Sequence, residues 1–365
     1  MDYTDRIVKI TNILKVKSLN AFFITNPYNI LYLTGFIGVS PTEREATLLI
    51  SKNSTILYSS AIYDEQIKLL QVKNNFKQRT VHRGDELFTQ PFTDNKSFLN
   101  IGLEEKDLKL SEYKLLKSFK HFKFKLTDNL VEELRIIKDG TEIDMVKQAV
   151  KITDNIFTQI INGFSPDITE KSLAKNIIKA SEKYKIMDLA FTPIVASGKN
   201  SSNPHYSTSF NKIAKGILLI DSGINYKSYN SDMTRTYFIG KPDNKFVKTY
   251  ELVMKTLEKV IETIKPGLSA ENLWQLATDL LGSEAKYFIH SLGHGIGLEV
   301  HESPVLRKGN KTILKPGMLL TIEPGLYYPG WGGVRIEDYI IVNENGCKVL
   351  SQTSKKFEDS VIKAY

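Results

Sequence analysis

Apolar and polar positions along the chain repeat at two periods, and the way the two alternate marks out the elements. Residues 4–17 carry helical spacing, and Ala21-Phe-Phe-Ile-Thr reads as a strand. Pro27-Tyr-Asn-Ile-Leu-Tyr-Leu-Thr predicts a helix that stops at Gly35. Ala46-Thr-Leu-Leu-Ile-Ser and Ser54-Thr-Ile-Leu-Tyr predict a hairpin around the polar pair Lys52-Asn53. Alternation of this kind over the first 130 residues points to a mixed sheet with helices packed on it. After Lys125 the character changes, through Asn129-Leu-Val-Glu-Glu-Leu-Arg and Lys138-Asp-Gly, to a long amphipathic helix beginning near Thr141. Its apolar positions Ile143, Val146, Ala149, Val150 and Thr153 keep the helical stagger, and Glu142 and Asp144 complement the dipole of its first turn. Two domains are expected, residues 1–130 and 131–365.

Within the second part the pattern repeats. Thr169-Glu-Lys-Ser-Leu173 opens a helix after Ser165-Pro166, and Ser269-Ala-Glu-Asn-Leu273 opens a similar one after Pro266-Gly267. Gly216-Ile-Leu-Leu-Ile leads into Asp221-Ser-Gly, as Gly317-Met-Leu-Leu-Thr-Ile leads into Glu323-Pro-Gly. A second strand-like run with another acid follows each, Asp232-Met-Thr-Arg-Thr-Tyr-Phe-Ile and Val334-Arg-Ile-Glu337-Asp-Tyr-Ile-Ile-Val. The offsets are 100 residues for the helix leucines and 102 and 105 for the acids. Chance similarity of short apolar runs does not explain three agreeing offsets. The expected unit is helix, helix and an acid-bearing strand pair, duplicated about a pseudo-twofold axis that brings four carboxylates together.

Composition changes this picture little. Hydrophobic content of 41% and charged content of 25% are ordinary for a globular protein. The net charge of +8 raises the question of nucleic acid. Only eight of the 49 basic residues are arginines, however, and lysines scattered along a chain are a solvated surface rather than a phosphate reader. The single cysteine, Cys347, allows no internal disulfide and suits a reducing, cytoplasmic setting. The N-terminal stretch is charged early without a long apolar core, and no run has membrane-spanning length, so neither a signal peptide nor a membrane partner is expected.

Acids inside apolar strand-like runs must be paired or must hold a metal. Asp221 and Asp232 flank the turn-like Asn225-Tyr-Lys-Ser-Tyr-Asn-Ser, and Glu323 and Glu337 flank Pro329-Gly-Trp-Gly-Gly. Arg235 and Arg335, two of the few arginines, stand inside these runs as partners for a buried carboxylate. Carboxylates with one imidazole suit Mn²⁺, Co²⁺, Fe²⁺ or Zn²⁺. Two such ions could share a water and the oxygen of an attacked carbonyl. His290 and His294 have the spacing of a helical zinc pair, but Gly293, Gly295 and Gly297 argue against a helix there. His294, set between glycines that let backbones crowd, is the chosen ligand, and His290 is read as loop support. His301 and His205 are candidates for polarising substrate, with loop ordering as the competing role of each. His82 and His121 stand alone and carry no chemistry. Ser197-Gly-Lys-Asn is not a phosphate loop, Gly293-His-Gly-Ile-Gly-Leu lacks the last glycine of a dinucleotide fingerprint, and His301-Glu302 has no second histidine for a zincin helix.

Together Asp221-Ser-Gly, Asp232-Met-Thr-Arg-Thr, Gly293-His-Gly-Ile-Gly, Thr321-Ile-Glu-Pro-Gly and Val334-Arg-Ile-Glu-Asp closely resemble the pita-bread metallopeptidases. Among these the set looks most like the Xaa-Pro peptidases, and Asn29-Ile-Leu-Tyr-Leu-Thr-Gly-Phe resembles a motif of their creatinase-like N-terminal domain. The implied fold class is α+β, a creatinase-like α/β N-terminal domain plus a pseudo-twofold pita-bread catalytic domain. The resemblance implies two divalent metals, foremost Mn, held by Asp221, Asp232, His294, Glu323 and Glu337, with Asp232 and Glu337 bridging. Glu323 would also shuttle the proton, His205 and His301 would contact the scissile carbonyl, and Arg335 would brace the carboxylates. Tyr206, Tyr327 or Trp331 would line a proline pocket. The implied activity is an Xaa-Pro aminopeptidase of the aminopeptidase P type, on peptides with proline in second position, in a homodimer. The alternatives are a prolidase restricted to dipeptides and, more distantly, a non-catalytic binding protein on the same fold.

Overall fold

A computed structural model describes residues 3–363 except 41, 73, 166 and 187, so the expected breaker Pro166 lies outside the described residues. The chain divides into two compact units, residues 1–135 and 136–365, where the sequence reading had placed the boundary after residue 130.

The first unit holds a six-stranded mixed sheet. Its order is Lys77–Val81, Thr55–Ser60, Ala46–Ser51, Ala21–Ile24, Asn100–Glu104, Lys123–Thr127. The expected hairpin pairs antiparallel, Leu48 opposite Leu57, and its strands bury Leu48, Leu49, Ile50, Leu57 and Tyr58. Phe23, Phe88 and Phe92 anchor the core on one face. The predicted helix forms at Pro27–Thr34, where Asn26 accepts from the amides of Tyr28 and Asn29 and Pro27 opens the first turn. Gly35 ends it with φ of 78°, a left-handed conformation that glycine adopts without strain. The motif residue Asn29 is fully buried. It donates to Glu104 Oε1 and Glu132 Oε1, both at 2.7 Å, and accepts from Arg135 Nη1 at 2.9 Å. Its role in this unit is therefore to tie helix, sheet and the segment 132–135 together.

The second unit is built from two similar halves. Helices Gly140–Asn162 and Glu170–Glu182 cover a sheet whose strands include Ile194–Ser197, Gly216–Asp221 and Thr234–Ile239. Helices Asn244–Thr263 and Ala270–Leu281 cover another that includes Gly293–Gly295, Leu319–Ile322 and Asp338–Asn343. Each half buries one helix face on its own strands. Ile156, Phe157, Leu173 and Ile177 meet Leu218 and Ile220, while Tyr250, Val253, Leu257 and Leu273 meet Leu320 and Ile340. The helix starts correspond too, because Thr169 and Ser269 both cap and both make an isolated bridge, to Lys212 and Ile313. One expectation changes in detail: the run from Val334 is two strands. Gly332–Arg335 pairs with Gly325–Tyr328, and Asp338–Asn343 pairs with Leu319–Ile322. The break falls at Ile336-Glu337, because the chain changes partner there, and Glu337 is left at a strand end.

Candidate metal centre

Each acid stands at or just beyond a strand end. Asp221 closes Gly216–Asp221, Asp232 precedes Thr234–Ile239, Glu323 follows Leu319–Ile322, and Glu337 precedes Asp338–Asn343. Asp221 pairs in register with Thr234, which sets Asp232 beside it at the entrance of the neighbouring strand. The tight hairpin Asn225–Tyr226/Tyr229–Asn230, with Lys227 and Ser228 at positive φ, returns the chain. The halves are stitched where the acids meet. Thr234 Oγ1 donates to Glu337 Oε2 at 2.8 Å, and Glu337 N donates to Thr234 O at 3.2 Å. Thr236 Oγ1 exchanges hydrogen bonds with the backbone of Arg335.

Three carboxylates, Asp221, Asp232 and Glu337, offer oxygens within 4.8 Å of one another, and all three are buried. Arg335 supplies one positive charge. Its Nη2 donates to Asp221 Oδ2 at 2.5 Å, its Nε to Thr234 Oγ1 at 2.9 Å and its Nη1 to the Tyr327 hydroxyl at 2.8 Å. Arg235 braces the same region from behind. It pairs with buried Asp338 at 3.0 Å and donates to the backbone carbonyls of Thr234, Glu337 and Thr353. One guanidinium does not balance the cluster. Burial first, then the charges of Glu337, Asp221 and Glu323, holds the Asp232 carboxyl well above the usual range. Glu337 is raised likewise, by burial and by Glu323 and Asp221.

Among the described residues two buried oxygens, Asp221 Oδ1 and Glu337 Oε1, find no hydrogen-bond partner, although the other oxygen of each acid is satisfied. Buried acceptors left open in this way call for a cation. The imidazole of His294 completes the arrangement. Its Nδ1–H donates to Gly295 O at 3.0 Å, which leaves the Nε2 lone pair facing Glu323 Oε1 at 3.4 Å and Asp232 Oδ2 at 3.7 Å. Burial also lowers the pKa of His294 and favours the neutral, ligating form. Two carboxylates and a lone pair facing each other across these distances fit a hard or borderline divalent ion. Glu323 is half-buried, fixed through its amide to Leu292 O at 2.8 Å.

His294 is the middle residue of strand Gly293–Gly295, so the expectation of a non-helical segment agrees with the structure. The glycine before it is required, because a Cβ at Gly293 would lie 1.9 Å from Thr321 O. His301 is exposed, with its ring 4.4 Å from that of His294. His205 is also exposed, on the loop following Ile194–Ser197, and the carbonyl of its neighbour Pro204 accepts from Arg335 Nη1 at 3.4 Å. His290 donates from Nδ1 to Ser291 O at 2.7 Å, so its Nε2 accepts from Tyr327 at 2.9 Å, a supporting role as expected. The three aromatic candidates for the pocket lining have defined partners. The Tyr206 hydroxyl turns to Glu170 at 2.9 Å, Tyr327 is buried between Arg335 and His290, and Trp331 packs on Tyr328 beneath Lys245. Spacing locates an aromatic ring in sequence, not the partner its hydroxyl will find. Among the described residues no helix is long and apolar enough to cross a membrane.

Comparison with known proteins follows the same division. Residues 6–137 match the creatinase/prolidase N-terminal domain, and residues 144–344 match metallopeptidase family M24. The Xaa-Pro dipeptidase of Pyrococcus furiosus is 33% identical over 362 residues, covering 96% of this chain and 99% of that one. The structure of an Xaa-Pro dipeptidase from Bacillus anthracis is 32% identical with a TM-score of 0.91, covering 99% of this chain and all of that one. The prolidase from Pyrococcus horikoshii is 32% identical with a TM-score of 0.89, covering 97% and 99%.

Proposed function

The chain belongs to metallopeptidase family M24 and is a metal-dependent hydrolase, and from that premise we propose that it is an Xaa-Pro dipeptidase, cleaving before proline in dipeptides. The sequence-based preference for an aminopeptidase P type activity is corrected here. Two curated relatives matched at 32–33% identity across nearly the whole chain, from Pyrococcus furiosus and Pyrococcus horikoshii, carry the dipeptidase name. The physical reason for the error is that the motifs surround the reacting centre, whereas the length of peptide accepted is set at the far end of the pocket.

The observation that carries the proposal is the pair of open, buried oxygens of Asp221 and Glu337, converging with Asp232 and faced by His294 and Glu323. These five residues would hold two divalent ions, with Mn the first choice and Co, Fe or Zn as alternatives. Bound there, such ions supply Lewis acidity to water and to a peptide carbonyl. The protein's own residues do the rest. Glu323, half-buried and beside His294, accepts the proton of the attacking water and returns it to the leaving proline nitrogen. His205 and His301, both exposed on the site side, donate to the carbonyl oxygen as it gains charge. Arg335 fixes Asp221 so that its free oxygen stays aimed at the cluster. The lone Cys347 supports a reducing, cytoplasmic setting. Homodimeric assembly is carried by the resemblance alone and is read by light scattering.

The test compares metal-loaded protein on an Xaa-Pro dipeptide and on the same sequence extended by one residue. Efficient cleavage of the dipeptide with at least a tenfold preference over the tripeptide supports the proposal. Equal or better cleavage of the longer peptide, or none of either, rejects it.

A further inference from the structure

Glu170, on no ligand or substrate motif, is completely buried at the first position of helix Glu170–Glu182. Its carboxylate accepts six hydrogen bonds from one stretch of chain, residues 197–209. Oε1 accepts from Ser197 N (2.9 Å), Ser197 Oγ (2.8 Å) and Asn200 Nδ2 (3.0 Å). Oε2 accepts from the Tyr206 hydroxyl (2.9 Å), Ser209 Oγ (2.8 Å) and Ser209 N (3.3 Å). Burial alone would raise this carboxyl, but the donors from Asn200, Ser197 and Ser209 outweigh it and hold the group below the usual range. Six donors on two oxygens exceed what a neutral amide could accept.

The pseudo-twofold repeat separates what the fold needs from what this carboxylate adds. In the first half the helix start donates through Glu170 N to Asn211 O and through Lys171 N to Ser209 O. In the second half Ala270 N donates to Thr312 O and Glu271 N to Asn310 O. The backbone clamp is thus common to both halves, yet the position of Glu170 is taken by Ala270 in the second. Among the described residues the six-bond hub occurs only in the half whose loop carries His205; in the second half Glu271 Oε1 accepts a single bond from that half's loop, from Gly309 N at 2.7 Å. That histidine sits between the anchored residues, with its amide donating to Asn203 Oδ1 at 3.2 Å, and Ser201 of the same loop accepts from Gly333 N at 2.9 Å. The loop is therefore held both by the helix and by the hairpin that carries Arg335.

We propose that Glu170 is a positioning residue that fixes the loop 197–209 and, through it, sets His205 against the substrate carbonyl. This rests on the reading of His205 given above. The experiment is a cycle of Glu170→Gln, His205→Ala and the double variant, assayed on an Xaa-Pro dipeptide with metal content measured for each. Misplacing a contact by about 1 Å costs roughly tenfold to a hundredfold, so Glu170→Gln should lower kcat/KM by that factor with unchanged metal content. On the His205→Ala background the same change should cost no more than about twofold, since the group it positions is gone. Equal losses in both backgrounds, or loss that tracks metal content, overturns the proposal. Hydrogen exchange on the metal-free proteins tests the hub without any activity. Residues 197–209 should exchange faster in Glu170→Gln while 302–313 stay unchanged, and unaltered protection of 197–209 overturns the proposal even if no peptide is cleaved. If Glu170→Gln does not fold, Tyr206→Phe removes one donor and should give a severalfold loss that likewise vanishes on the His205→Ala background. A loss that persists there overturns the proposal.

Discussion

Lys138 and Glu302 form an ion pair at 2.9 Å with side-chain exposures of 1% and 6%, and Glu302 directly follows His301. Lys138→Met keeps the apolar stem but removes the ammonium facing Glu302 Oε2, while Glu299 N still donates to Oε1 at 3.1 Å. At 2.9 Å the attraction is about 6 kcal/mol for an effective dielectric of about 20. The observed cost is capped below that, because Glu302 can take up a proton. At pH 7, about 2.7 units above where a free glutamate titrates, that proton costs about 3.7 kcal/mol. At pH 5 it costs only about 1 kcal/mol. In the variant the folded state thus favours protonated Glu302, so stability is kept at low pH and lost as pH rises. Both tryptophans, Trp274 and Trp331, lie in the second unit, so their fluorescence in a urea titration reports on that unit. Lys138→Met should cost about 3–4 kcal/mol at pH 7 and about 1 kcal/mol at pH 5. Adding Glu302→Gln should recover at least about 1.5 kcal/mol at pH 7. A cost below about 1 kcal/mol at pH 7, or one that does not shrink on acidification, would refute the reasoning.

Other consequences can be measured alongside it. Because Asp232 is crowded by buried acids, Asp232→Asn should raise the melting temperature of metal-free protein by a few degrees while reducing metal uptake; a lower melting temperature contradicts the electrostatic account. Gly293→Ala places a Cβ against Thr321 O and should cost about 3 kcal/mol or more, read by the same urea titration. In the first unit burial lifts Glu104 to about 7 against the donors Thr25 N, Asn26 N and Asn29 Nδ2. Its stabilising share is then fully present only below the ordinary glutamate range and is lost as pH rises from there through 7, by up to about 3 kcal/mol. A carboxyl NMR titration of Glu104 with its midpoint in the usual glutamate range would contradict this.

The elements were legible where periodicity is strong. The helix expected from near Thr141, which forms as Gly140–Asn162, the hairpin of Ala46–Ser51 with Thr55–Ser60 and the duplicated helices appear as the spacing predicts. The repeat was legible because both halves must bury the same helix face on the same strands. The creatinase-like and pita-bread fold class holds as expected. The strand break at Ile336-Glu337 was not legible, since the residues remain apolar and only the pairing partner changes. Glu170 was read merely as part of a helix start, because its six donors are spread over residues 197–209 and only the loop's path gathers them. An acid at the first helical position has a sufficient local reason in the dipole, which masks any other role. The only available signal was the repeat itself, which sets Glu170 against Ala270.

The central claim is that Asp221, Asp232, His294, Glu323 and Glu337 hold a pair of divalent ions. Elemental analysis of protein equilibrated with Mn²⁺ and passed through a desalting column measures this directly. The account predicts two ions per wild-type chain and a clear deficit in the His294→Ala and Glu337→Gln variants with the fold retained. A wild-type chain that retains no metal, or variants that retain as much as the wild type, would contradict it.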